Sequence, residues 1–197
     1  MIGGAGDDLY IVDNTADFVV EGISGGRDLV KTSVNYVLAA NVEIEQLETT
    51  DLSDTATIDL VGNAFDNVIN GNDGQNTLVG GLGFDTLTGH GGGDVFVWRS
   101  TAETGPTAAT ADIVGGDFNP LTGDLLAFNL IDANDTAAGN QAFTFIGAAG
   151  FTSAGQIRAF SDGFDTFIQL NTGGDATAEA MVRVQGVHSV DASWFVL

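Results

Sequence analysis

Four consecutive nine-residue segments, GNAFDNVIN (62–70), GNDGQNTLV (71–79), GGLGFDTLT (80–88) and GHGGGDVFV (89–97), repeat one arrangement of oxygen-bearing groups. Each opens on glycine. Each carries Asn or Asp at its sixth place (Asn67, Asn76, Asp85, Asp94) and a large apolar residue at its eighth (Ile69, Leu78, Leu87, Phe96). Glycines reach left-handed backbone conformations in which successive carbonyls point to one side, and the sixth side chain adds a further oxygen. Each turn is therefore a rack of hard oxygen ligands. That is calcium chemistry, since Ca2+ takes roughly six to eight oxygens of mixed backbone and side-chain origin.

Other residue patterns in the chain point to catalysis but are better explained by the same repeat. Gly22, Ile23, Ser24, Gly25 and Gly26 satisfy GxSxG, and residues 90–93 read HGGG. Both stretches lie in phase with the nonapeptide, which accounts for their glycines. An α/β-hydrolase needs its serine on a strand-to-helix elbow, with the HGGG loop normally earlier in the chain; here no helix follows Ser24 and the order is reversed. HExxH is absent, and the two histidines, His90 and His188, cannot build a three-histidine zinc site. Carboxylate pairs suited to glycosidase chemistry are available among 27 acids, but the regularly spaced ones are better placed to hold calcium. The expectation is a chain that is not an enzyme and has no catalytic residue.

The elements that must position the oxygens follow from the spacing. The last three places of each unit suffice for a short strand whose eighth residue faces inward. Two units make one coil of 18 residues with a turn on each edge, and each turn stacks on the one a coil earlier. Turn 62–67 should face 80–85, and turn 71–76 should face 89–94. Residues 3–11, GGAGDDLYI, form a further unit with Gly4, Gly6 and a sixth-place Asp8. VDNTADFVV keeps the phase without the glycines. After the two-residue insertion Glu21–Gly22, ISGGRDLVK restores it, so that Asp28 lies on the same edge as Asp8, and Gly4, Gly6, Asp8 and Asp28 are expected metal ligands as well. Over 32–61 the turns degrade while SVNYVL, VEIEQLE and TIDLV still read as strands.

The four units resemble the calcium-binding RTX repeat (GGxGxDxUx) of secreted bacterial proteins, a parallel β-roll. The resemblance implies a first ion held by carbonyls of Asn63, Phe65, Gly80 and Leu82 with Asn67 and Asp85. It implies a second held by Asn72, Gly74, Gly89 and Gly91 with Asn76 and Asp94. Gly83 and Asp85 would serve a third with Glu103, the residue expected one coil on from Asp85. Asn67 and Asn76 depart from the pattern, a neutral amide replacing a carboxylate, which weakens the sites; hydrogen-bonded stacking of asparagines is the alternative there.

Beyond Trp98 the repeat stops. Residues 99–111 have the small polar composition of a linker, and 112–197 read as separated strands: DLLAF, AFTFIG, GQIRAF, DTFIQL, EAMVRV and SWFVL. The segment from Asp112, with QAFTFIG, is similar to the C-terminal domain of serralysin-type metalloproteases and to the R-modules of mannuronan C5-epimerases. That resemblance implies a cap ending in an uncleaved type I secretion signal, here Asp191 followed by Trp194, Phe195, Val196 and Leu197. The expected architecture is all-β: an RTX parallel β-roll over 1–98, a linker over 99–111, and a C-terminal β-sandwich cap over 112–197.

Composition narrows the partners. The 197 residues are 44% hydrophobic, enough for a sizeable core, and contain no cysteine. Net charge is −22, with 21 Asp and 6 Glu against five cationic side chains, which argues against nucleic acid and anionic membranes. The same balance predicts a metal-free chain that repels itself and a calcium-bound one relieved of that strain; solubility in salt is a second cause for such a surface. No run of about 18 apolar residues exists to span a membrane. MIGGAGDDLY lacks the features of a signal peptide and opens almost inside a repeat, so more chain is expected upstream. The function expected is a calcium-binding module of a larger secreted protein, with calcium and the type I secretion machinery as partners. A polysaccharide-binding module is the alternative, made harder for acidic glycans by the scarcity of cations.

Overall fold

The computed structural model describes residues 1–197. Its strands are β1 (Leu9–Val12), β2 (Leu29–Thr32), β3 (Tyr36–Val37), β4 (Gln46–Thr49), β5 (Leu60–Val61), β6 (Val68–Asn70), β7 (Thr77–Val79) and β8 (Thr86–Thr88). There follow β9 (Val95–Val97), β10 (Asp112–Val114), β11 (Leu125–Ala127), β12 (Thr144–Phe145), β13 (Gln156–Ser161), β14 (Thr166–Asn171), β15 (Ala180–Val184) and β16 (Phe195–Val196). The only helices are 3-10 turns at Thr101–Glu103 and Ala192–Trp194, and no helix is long and apolar enough to cross a membrane.

The chain winds as a parallel β-roll. From β2 to β12, successive strands alternate between a ten-stranded sheet, ordered β1-β2-β4-β6-β8-β10-β15-β14-β13-β12, and a six-stranded sheet, ordered β16-β11-β9-β7-β5-β3. Period-two alternation puts every second side chain inside, and in-register stacking turns those side chains into columns. One column runs Tyr10, Val30, Leu47, Ile69, Leu87, Val114 and Val184. Its counterpart in the second sheet runs Tyr36, Leu60, Leu78, Phe96, Leu126 and Phe195. Ile69, Leu78, Leu87 and Phe96, the four eighth-place residues, are all 0% exposed. Each contributes about 1.5–3 kcal/mol by leaving water, so the nonapeptide period is enforced from the inside as well as by the turns.

Strand pairing carries the roll past the boundary expected at residue 98. β10 pairs in parallel with β8, and β11 with β9, so 112–127 form another coil. Residues 99–111 are a long turn inserted between β9 and β10, and they carry the 3-10 turn at Thr101–Glu103. Over 112–197 the strands join the two sheets of the roll itself. β15 pairs in parallel with β10 and leads into the antiparallel strands β14 and β13, while β16 pairs with β11. The cap therefore extends both sheets of the roll. The physical reason is edge protection: hydrogen-bonding a strand onto β10 satisfies its backbone, which packing a separate sandwich against it would leave unpaired. Aromatic contacts fasten the junction, among them Phe96–Phe118 at 5.8 Å, Trp98–Phe128 at 5.2 Å and Phe118–Trp194 at 5.0 Å between centroids.

Candidate metal centre

Stacked turns line the two edges of the roll, and the sixth-place side chains form a ladder along each. On the first edge Asp85 Oδ1 accepts the Asn67 N–H at 2.7 Å, and Asp112 Oδ1 accepts the Asp85 N–H at 3.0 Å. On the second, Asp94 Oδ1 accepts the Asn76 N–H and Asp124 Oδ1 accepts the Asp94 N–H, both at 2.8 Å. Each carboxylate thus ties its own coil to the one before. The expected pairing of turn 62–67 with 80–85, and of 71–76 with 89–94, is the pairing observed.

The second carboxylate oxygens separate the rungs. Asp112 Oδ2 accepts the Trp98 indole N–H at 2.7 Å, and Asp124 Oδ2 accepts the Asn119 N–H at 2.8 Å. Asp85 Oδ2 and Asp94 Oδ2 have no partner, although both residues are 0% exposed. They point into their own turns, where a Cβ at Gly80 or Gly89 would overlap them. Burial pushes the Asp85 carboxyl up to about 8 and those of Asp94 and Asp112 up to about 7. The N–H bonds they accept pull the other way, and neighbouring carboxylates add to the rise. A desolvated carboxylate with a free oxygen is costly alone and favourable beside a cation.

The asparagines are satisfied internally. Asn67 Nδ2 donates to Ile44 O at 2.6 Å while its Oδ1 accepts the Asn63 N–H at 2.9 Å. Asn76 Nδ2 donates to Ile58 O at 2.8 Å while its Oδ1 accepts the Asn72 N–H at 2.8 Å. Among the expected carbonyl ligands, Asn63 O is taken by the Leu82 N–H at 2.8 Å. The carbonyls of Phe65, Leu82, Asn72, Gly74, Gly80, Gly89 and Gly91 accept no hydrogen bond, and those of Phe65, Gly74, Gly80 and Gly89 lie against glycines of the stacked turn. Gly83, with φ +123°, faces Phe65 O across the first stack.

Glu103 is not one coil on from Asp85; Asp112 is. The inserted turn displaces Glu103 sideways, where its carboxylate accepts the Arg99 N–H at 2.7 Å and pairs with Arg99 Nε at 2.9 Å. Asp112 and Asp124 were hidden because their turns lack the glycine pattern. Their signal was the surviving Asp-x-apolar triplet, Asp112 to Val114 and Asp124 to Leu126, in which the apolar member is 0% exposed. Asp117 also escaped notice: its Oδ2 accepts the His90 N–H at 2.5 Å, while Asp117 Oδ1 and His90 Nε2 are buried without partners.

At the N-terminal end, Asp28 Oδ1 accepts the Asp8 N–H at 2.9 Å and the Gly6 N–H donates to Gly25 O at 2.6 Å, so the turn bearing Gly4, Gly6 and Asp8 stacks on the turn bearing Asp28. Ser24 of the GxSxG match lies in that first-edge turn, and His90 lies in the second-edge turn 89–94. The two belong to different edges and make no contact.

The family model for the RTX calcium-binding nonapeptide repeat matches residues 59–87 and 70–97, in 4 copies. These residues are RTX repeats. No curated protein matches the chain. RTX repeats bind Ca2+, and the donor set fits that ion. Carboxylate and carbonyl oxygens line the RTX turns, no cysteine is present, and the two orphaned buried oxygens sit where a cation would complete them. Bound there, Ca2+ would supply positive charge to Asp85 and Asp94. The chain's own part is to hold the oxygens at the turn rims and to keep the apolar columns dry behind them.

Proposed function

We propose that this chain is a non-catalytic, calcium-dependent folding module of a larger secreted bacterial protein, exported unfolded by type I machinery and folded on meeting extracellular calcium. The observation that carries this reading is the pair of partnerless oxygens, Asp85 Oδ2 and Asp94 Oδ2, on fully buried residues. In a cell interior poor in calcium, those carboxylates and a net charge of −22 oppose the compact state. Extracellular calcium modules bind at roughly 10⁻⁴ to 10⁻³ M, a range that separates the two compartments. Asp191 with Trp194, Phe195, Val196 and Leu197 would act as the export determinant. Trp194 and Phe195 are buried in the fold, so such a determinant would be read before folding.

Circular dichroism with calcium and with excess EGTA tests the coupling. The chain is expected to lose most of its β-structure in EGTA and to regain it on adding calcium. An unchanged spectrum in EGTA overturns the reading.

A further inference from the structure

We infer that the N-terminal rim of the roll holds a separate Ca2+ site, built from the carboxylates of Asp8, Glu21 and Asp28 and lying outside the matched repeats. It rests on the calcium reading of the chain, and the test below separates the two.

Glu21 is the residue that makes this site. It comes from the Glu21–Gly22 insertion that breaks the nonapeptide phase, so no repeat pattern specifies it. Its carboxylate is nonetheless fixed: it accepts the Tyr10 hydroxyl, the Gly22 N–H at 2.8 Å and the Gly4 N–H at 3.3 Å. Tyr10 faces the interior of the first coil, 3% exposed, and its hydroxyl reaches the rim to tether Glu21. Ligand oxygens of Asp8, Glu21 and Asp28 lie within 4.8 Å of one another. Two oxygens at about 2.4 Å from one calcium ion can be at most about 4.8 Å apart, so a single ion can be shared by all three.

Observations independent of the clustering point to a ligand. Asp8 Oδ2 is buried without a partner. Asp28 is 1% exposed; its Oδ1 accepts the Asp8 N–H, and its Oδ2 accepts nothing. A Cβ at Gly3 would meet the Tyr10 hydroxyl, Asp8 Oδ2 at 2.5 Å and Glu21 Oε2 at 2.6 Å, three oxygens facing one point. One at Gly25 would meet Gly4 O at 2.8 Å and Glu21 Oε1 at 2.9 Å. No basic side chain answers the three charges, because the three ion pairs of the chain are Lys31–Glu48, Arg99–Glu103 and Arg183–Asp165. With oxygen donors alone and neither His nor Cys, the cluster suits a hard cation rather than a transition metal.

The rim differs from the RTX turns in charge. Each turn of the matched run offers one sixth-place carboxylate or none, whereas the rim offers three, and affinity rises with the number of charged ligands. Its ion would bind more tightly than those of the repeats and would clamp the first coil, at the open edge of the ten-stranded sheet, to the second.

The test is calorimetric calcium titration of the full chain, with terbium luminescence alongside. Glu21→Gln is expected to remove one tight equivalent or weaken it by about tenfold or more. Asp85→Asn/Asp94→Asn is expected to keep that equivalent while losing weaker ones. Equal stoichiometry and affinity in wild type and Glu21→Gln overturns the rim site and leaves the repeat reading standing; a wild-type chain that binds no calcium overturns both. Should Glu21→Gln disturb the coil, Tyr10→Phe decides. Loss of the tyrosine-excited terbium emission seen in wild type supports the site, and unchanged emission overturns it.

Discussion

Coils 62–79 and 80–97 share a backbone path, a register and an apolar interior, yet they treat their polar turns in opposite ways. In the first, asparagines at the second and sixth places act as donors to the coil before. Asn63 Nδ2 reaches Ala39 O and Val42 O, Asn72 Nδ2 reaches Ala56 O, and Asn67 and Asn76 reach Ile44 O and Ile58 O. In the second coil, Gly81 and His90 hold the second place at φ +106° and +71°, and the sixth-place aspartates keep an oxygen free. The difference is one of donors. An amide brings its own N–H and so can close a turn against carbonyls, whereas a carboxylate brings only acceptors and must obtain a positive partner from outside. Coil 62–79 is thus an adapter: its rear side fits the turns of 32–61, which have lost the repeat, and its front side meets the first carboxylate rungs.

Converting one coil into the other gives the largest expected effect. Asn67→Asp with Asn76→Asp removes two buried donors and adds two desolvated charges. It should cost about 2–5 kcal/mol in chelator and much less in calcium, while raising the number of ions bound. Urea unfolding with and without EGTA measures it; an equal loss in both conditions breaks the contrast. The reverse change, Asp85→Asn with Asp94→Asn, should stabilise the metal-free chain by about 1–2 kcal/mol and lower calcium binding. A loss of stability in chelator would mean that the free oxygens are not a liability.

The same contrast predicts an effect of pH on the metal-free chain. Asp85, Asp94 and Asp112 have folded values of about 8, 7 and 7, above the ordinary carboxylate value of 3.8. The folded state therefore binds more protons than the unfolded one, and stability falls as pH rises from about 4 to about 8. In EGTA, the midpoint of urea unfolding should drop across that window. Saturating calcium should flatten or invert the trend, since ion and proton compete for the same oxygens. Asp85→Asn/Asp94→Asn should remove most of the slope in EGTA.

Much of the fold was legible because it is periodic. Each eighth-place residue of the run is buried, and the six strands expected after residue 112 are found at DLLAF, AFTFIG, GQIRAF, DTFIQL, EAMVRV and SWFVL as β11 to β16. What escaped notice is what a period cannot encode. The 99–111 insertion hides β10 from the period, and a count of residues puts Glu103 at the next rung although the long turn returns the chain to Asp112 there. Glu21 looked like an interruption because its role depends on Tyr10 and Asp28, neighbours only once the first two coils stack.

By itself the sequence determined the roll, its two edges and its oxygen chemistry, because apolar and glycine periods act locally and repeat without reference to the rest of the chain. Only the tertiary structure decided which oxygens are free. A side-chain oxygen is partnered or orphaned according to the coil beneath it, and that contact spans some 18 to 30 residues of chain.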